Sequence, residues 1–130
     1  MSASSMIERT LYLEVQPGGI LPEICLKQGE QQSGYLRLIV NAQLPYAIYK
    51  RGLVLARLPD NSRLFQQGFI DSFQGKPMTS FRVNSLTKVC GDFKCTFSIL
   101  DTQDWVSTKN YLDYDLITVL PFMVKVCERA

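Results

Sequence analysis

The chain has 130 residues, 46% hydrophobic and 20% charged, with a mean hydropathy of +0.00 and a net charge of +2. That profile fits one globular domain, which at this size buries roughly two-thirds of its unfolded surface without disulfides or metal. It excludes a disordered chain. So small a net charge also argues against nucleic acid as a partner, which calls for a basic stripe.

Met1-Ser2-Ala3-Ser4-Ser5-Met6 lacks a basic region followed by an apolar core, so no secretory signal is expected. The expectation is a protein made and kept, at least at first, in a cytoplasm. No apolar run approaches the roughly 18–20 residues of a membrane helix. The longest candidate, Leu116 to Val124, is interrupted by Pro121. Cys25, Cys90, Cys95 and Cys127 are therefore expected to be free, buried thiols. Cys90 and Cys95 lack the spacing of a CxxC pair, and no histidine is present to complete a mixed zinc site. Four cysteines could ligate zinc on count alone, but no metal and no cofactor is expected.

A first strand is expected from Met6 to Val15, with Ile7, Leu11, Leu13 and Val15 on the buried side. Pro17-Gly18-Gly19 breaks it. Ile24 to Lys27 is a short strand ended by Gln28-Gly29-Glu30, and Gly34 to Asn41 alternates Leu36, Leu38 and Val40 with Arg37 and Ile39. After Pro45, Tyr46-Ala47-Ile48-Tyr49 reads as a short extended segment, and Lys50-Arg51 as a solvated turn. Gly52 to Leu58 and Arg63 to Phe69 are strands around the turn formers Pro59-Asp60-Asn61-Ser62. Thr79 to Val83 is another strand, and Ser85 to Val89 is compatible with one helical turn.

From Phe93, four apolar residues (Phe93, Cys95, Phe97, Ile99) alternate with Lys94, Thr96 and Ser98. Period two over this length predicts a strand with one buried and one wet face. The last strand runs from about Asp115 to Cys127, bent or bulged at Pro121. No window shows a sustained helical period. The expected fold is all-β, an immunoglobulin-like antiparallel β-sandwich of about seven to nine strands. Residues 1–5 are expected to form a flexible tail ahead of a single domain over 6–130.

No catalytic residues are assigned. There is no histidine to serve as a base, and Pro17-Gly18-Gly19 is followed by no phosphate-loop signature. Asp101, Asp104, Asp113 and Asp115 could hold calcium or act as paired carboxylates, but they also suit plain turn formation, the expected reading. Aromatics are the better lead. Trp105, Tyr111 and Tyr114 lie in one polar stretch between the last two strands, where exposed rings can anchor a protein contact or stack on a sugar. Trp105 packed over the end of the core is the competing reading. Tyr46 and Tyr49, beside Lys50-Arg51, form a second candidate edge.

The order of landmarks resembles the N-terminal domain of the baseplate upper proteins of tailed phages that infect Gram-positive bacteria. The residues that carry the resemblance run from Met6 to Val126. They are the turn Leu26-Lys27-Gln28-Gly29-Glu30, the strand Tyr35 to Val40, the turn Leu58-Pro59-Asp60-Asn61-Ser62, the Gly91-opened strand closing on Leu100-Asp101, and the loop Val106-Ser107-Thr108 before a final apolar strand. Tyr46 to Lys50 replaces the family's Leu-Thr-Gly. The resemblance implies a structural virion protein assembled in the host cytoplasm. It would attach a baseplate or tail-fibre component or decorate a capsid, with other phage structural proteins as partners. It also implies a homo-oligomer, a trimer foremost, and no catalysis; from charge and hydropathy, neither nucleic acid nor membrane is expected as a partner. A carbohydrate-binding module of the same fold is the alternative.

Overall fold

In the computed structural model, residues 8–14, 21–29, 34–58, 60–82 and 88–128 are described. The expected tail at 1–5, the break at Pro17-Gly18-Gly19, Pro59 and most of the proposed helical turn at 85–89 lie outside those residues. Apolar alternation sets the strands. Leu11 and Leu13 point inward from β1 (Glu8–Leu13), Leu26 from β2 (Glu23–Lys27), and Leu36, Leu38 and Val40 from β3 (Tyr35–Val40). β4 (Arg51–Arg57) and β5 (Arg63–Phe69) form a hairpin. β6 (Asp71–Phe73) and β7 (Lys76–Arg82) form a second one, followed by β8 (Gly91–Leu100) and β9 (Leu116–Cys127).

The nine strands make two sheets, β1-β3-β7-β6 and β2-β9-β8-β4-β5, packed as a sandwich. That order matches an immunoglobulin-type sandwich, in which strands A-B-E-D face a sheet built on G-F-C. Phe93, Phe97 and Phe122 fill the interior with Leu13, Leu36, Leu38, Ile70 and Ile99. The sheets are mixed. β1 runs parallel to β3, and β2 parallel to β9, while the other pairings are antiparallel. The reason is topological. β2 lies in the opposite sheet, so β1 and β3 are neighbours that no hairpin joins, and parallel pairing needs such a crossover.

Several local expectations are corrected. Pro45–Ala47 is a 3-10 turn, not an extended segment, because Ala47 N–H donates to Leu44 O at 3.0 Å and Ile48 N–H to Pro45 O at 3.2 Å. The hairpin at β6 has no counterpart in the sequence reading. Its two-residue turn, Gln74-Gly75, has φ of 54° and 82°, the left-handed pair of a type I′ hairpin. The irregularity in β9 is not at Pro121. Thr96 pairs with Pro121 in register, and the register shifts instead where Ile99 and Leu100 face Thr118 and Leu116. Pro121 is tolerated because Met123 N–H donates to Pro22 O at 2.8 Å, towards β2. Residue 121 has the same parity, so its missing N–H faces that flank, beyond the β2 pairing that starts at Glu23, and not β8.

The four cysteines are free, but not uniformly buried: Cys95 is buried, Cys90 is half-buried, and Cys25 and Cys127 are exposed on β2 and β9. Among the described residues no group of His, Cys, Asp or Glu is placed to hold a metal ion. Among the same residues no helix is long and apolar enough to cross a membrane.

Candidate functional site: an aromatic end and the loop that builds it

β8 does not have one wet face. Asp92 and Lys94 are exposed as alternation predicts, but Ser98 is 7% and Leu100 1% exposed. The segment between β8 and β9 folds back over the outer face of the five-stranded sheet and makes a second, small core. Leu53, Leu100 and Val106 are buried in it, with Phe65, Tyr111 and Tyr114 packed around them. The Tyr111 and Phe65 rings lie 5.8 Å apart at 56°.

The loop is held at defined points. Its neck closes where Asp101 N–H donates to Asp115 O at 2.8 Å. The Gln67 side chain on β5 acts as a short strand partner, Nε2 donating to Val106 O at 2.6 Å and Oε1 accepting from Val106 N–H at 3.1 Å. Ser107 and Asn110 cap one another: Ser107 N–H donates to Asn110 Oδ1 at 2.6 Å, and Asn110 N–H to Ser107 Oγ at 3.2 Å. This Ser-x-x-Asn turn launches the 3-10 turn Tyr111–Asp113 that seats Tyr111.

Arg51 does the remaining work, and it is not in a solvated turn. It opens β4 and is 7% exposed. Its Nε donates to Asp104 O and its Nη2 to Gln103 O, both at 2.9 Å. The guanidinium lies 4.3 Å from the Phe69 ring centroid and 5.7 Å from that of Trp105. A planar, always-charged group suits this place because it can bond two carbonyls in its plane and stack on rings through its faces. Lys50 Nζ meets Asp101 Oδ1 at 2.9 Å, tying the β3–β4 connection to the loop.

These contacts place Trp105, from one aromatic group of the sequence reading, at the same end of the sandwich as Tyr46 and Tyr49 of the other, but leave Tyr111 and Tyr114 of the first group on the outer face of the sheet. Tyr46 (61%), Tyr49 (63%), Phe69 (53%) and Trp105 (72%) are all exposed there. They come from the β3–β4 connection, the end of β5 and the β8–β9 connection. A cleft of about 450 Å³ runs beside Trp105, lined by Phe65, Gln66, Gln67, Val106, Ser107 and Thr108. Tyr111 and Tyr114 are half-buried supports beneath the loop. Among the described residues, no ring contact joins Trp105 to either tyrosine.

Phe69 and Arg51 are absent from the sequence-derived candidates. Phe69 is the last residue of the mixed strand Arg63 to Phe69, which gives it no distinct signal, and Arg51 sits beside Lys50 and so reads as surface. The usable signal was the register: Arg51 pairs with Phe69 across β4–β5 and with Leu100 across β4–β8, which puts the three side chains on one face.

No family model matches the chain, and no curated protein matches its sequence. Among solved structures it is similar to the N-terminal domain of phage TP901-1 ORF48, with a TM-score of 0.56 and 14% identity over 95% of this chain and 100% of that one. At that identity the likeness is one of fold.

Proposed function

We propose that this domain is a structural component of a phage particle, in a baseplate, tail-fibre attachment or capsid decoration, and that it docks on another virion protein through its aromatic end. The observation that carries the reading is the set Tyr46, Tyr49, Phe69 and Trp105, exposed together on a sandwich that shares its fold with a phage protein domain. Exposed aromatics held rigidly lose little side-chain freedom on contact and supply large apolar area, the usual make-up of interface anchors. Arg51 supplies the rigidity by fixing Trp105 and Phe69 around one guanidinium. The reading invokes no catalysis.

The test is incorporation. Particles from a host expressing the wild-type chain should contain it by mass spectrometry. A Trp105→Ala, Phe69→Ala variant, folded equally well by circular dichroism, should be missing from them. Absence of the wild-type chain from purified particles, or equal incorporation of the variant, would overturn the reading. The carbohydrate-binding alternative rests on exposed Trp105 and the cleft beside it. A glycan array with Trp105-dependent signal would favour it over protein docking.

A further inference from the structure

Three cations stand in one row on the outer face of the five-stranded sheet. Arg57 faces Arg63 across β4–β5 and Lys94 across β4–β8, and all three are exposed. Like charges directly opposed across strands are destabilising. No ion pair among the described residues relieves them; the pairs present are Arg37 with Glu8, Lys50 with Asp101 and Lys125 with Glu23. The acids around the row are committed elsewhere. Asp60, in the β4–β5 turn, accepts from the Ser62 N–H and hydroxyl. Asp92, two residues before Lys94, faces Lys125 across β8–β9. Glu23, two strands from Lys94 in the same row, meets Lys125 Nζ at 3.4 Å.

Protection of a sheet edge accounts for one of these charges only. A charged side chain on an edge strand discourages pairing with another molecule. β5 is the edge, so Arg63 fits that role, but β4 and β8 lie inside the sheet. The row also borders a concavity. A cleft of about 150 Å³ is lined by Arg57, Arg63 and Lys94 together with Leu55, Thr96 and Tyr111, and by no acid. Register explains its shape. The next row of the face is Phe65–Leu55–Thr96, and the Tyr111 ring stands against Phe65 at 5.8 Å. Tyr111 therefore bounds the cleft on the side of the loop, and the cations bound it on the other.

We infer that this cleft binds a phosphate group. Neighbouring strands are about 4.8 Å apart, so Arg63 and Lys94 rise roughly 10 Å apart with Arg57 between them. Long side chains from that span can close on one small anion. Two guanidinium forks and one ammonium match a group with three free oxygens and about two negative charges better than they match a single carboxylate. Thr96 and Tyr111 add hydroxyl-bearing side chains to the lining. An anion bound there offsets the repulsion along the row. A second cleft, of about 230 Å³, adjoins through the shared residues Leu55, Thr96 and Tyr111 and continues past Leu112, Leu116 and Val119. It gives an apolar substituent on the phosphate a place to lie. The inference uses neither the aromatic end nor the phage reading.

Thermal unfolding in sodium phosphate, against sodium chloride of equal ionic strength, tests it. A ligand that binds only the folded state raises the unfolding midpoint, and the rise should saturate at millimolar phosphate. Arg57→Gln with Lys94→Gln should melt higher than the wild type in chloride, because the opposed charges are gone. The same variant should lose the saturable response to phosphate. Arg82→Gln with Lys109→Gln removes the same charge from other exposed positions and should keep the response. Phenyl phosphate tells the source of the phosphate apart. Binding several-fold tighter than inorganic phosphate means an organic phosphate whose apolar part fills the second cleft, and equal binding means the free anion. A wild type without a saturable response, an Arg57/Lys94 variant that keeps it or melts lower than the wild type in chloride, or an Arg82/Lys109 variant that loses it would each overturn the inference.

Discussion

The side-chain amide of Gln67 pairs with both backbone groups of Val106, donating at 2.6 Å and accepting at 3.1 Å. It does for the loop what one residue of a strand would do, and it does so from the edge of β5. Gln67→Ala should expose both Val106 groups and destabilise the domain by about 1–3 kcal/mol, since each partly buried bond contributes about 0.5–1.5 kcal/mol. Gln67→Glu should be no better, because a carboxylate accepts from Val106 N–H but repels Val106 O. Hydrogen exchange at Val106 N–H, slow in the wild type and fast in both variants, is the check.

Arg51 should not tolerate lysine. Lysine cannot bond Asp104 O and Gln103 O in one plane while stacking on Phe69. We expect Arg51→Lys to lose about 2 kcal/mol and to leave Trp105 more mobile. Trp105 is the single tryptophan of the chain, so iodide quenching reports it directly. Quenching should rise in Arg51→Lys while the far-ultraviolet circular dichroism holds. Unchanged quenching would remove Arg51 as the organiser of this end.

Gly52 is a packing requirement, not a turn. A Cβ there would lie 2.4 Å from Ile70 Cδ1 and 3.2 Å from Phe97 Cε1, and both side chains are fully buried. Gly52→Ala should therefore overpack the core and destabilise by about 1–3 kcal/mol. Gly52→Ala combined with Ile70→Val should recover part of that loss, as the denaturant midpoint will show.

Burial pushes the Cys95 thiol up to about 12 from 9.0. A folded value above the unfolded one means that the neutral thiol's contribution is complete below about pH 9 and is lost as pH rises from there towards 12. Over that window Cys95 should account for up to about 1.4 kcal/mol of lost stability per pH unit. Cys95→Ala should be less stable at neutral pH but show a flatter alkaline decline. At pH 8 the exposed Cys25 and Cys127 should alkylate quickly and Cys95 only on unfolding, which peptide mass mapping can follow.

The sandwich was legible because alternation is local. Phe93, Cys95, Phe97 and Ile99 on β8 announce a buried face in the sequence itself, as Leu36, Leu38 and Val40 do on β3. What alternation does not carry is the second covering of a sheet. Ser98 and Leu100 have the parity of a wet face and are buried because the segment that follows β8 folds back over that face. The hairpin at β6 was hidden because Gln74-Gly75 reaches left-handed geometry without the Asn-Gly or Asp-Gly signature. For the candidate contact surface, Trp105, Tyr46 and Tyr49 could be picked out as aromatics in polar stretches. Their convergence with Phe69 depends on cross-strand register and on a buried arginine, which no local pattern encodes.

Pro121 has a use beyond fitting its strand. A free strand flank invites the edge of another molecule, and a protein at high local concentration risks growing into fibrils by that route. At Pro121 an incoming strand would find no donor, and the ring would push it away. The domain can then be crowded against copies of itself without sheet joining sheet at this point. Copies are left to meet through faces and loops, where side-chain identity decides which contacts are allowed.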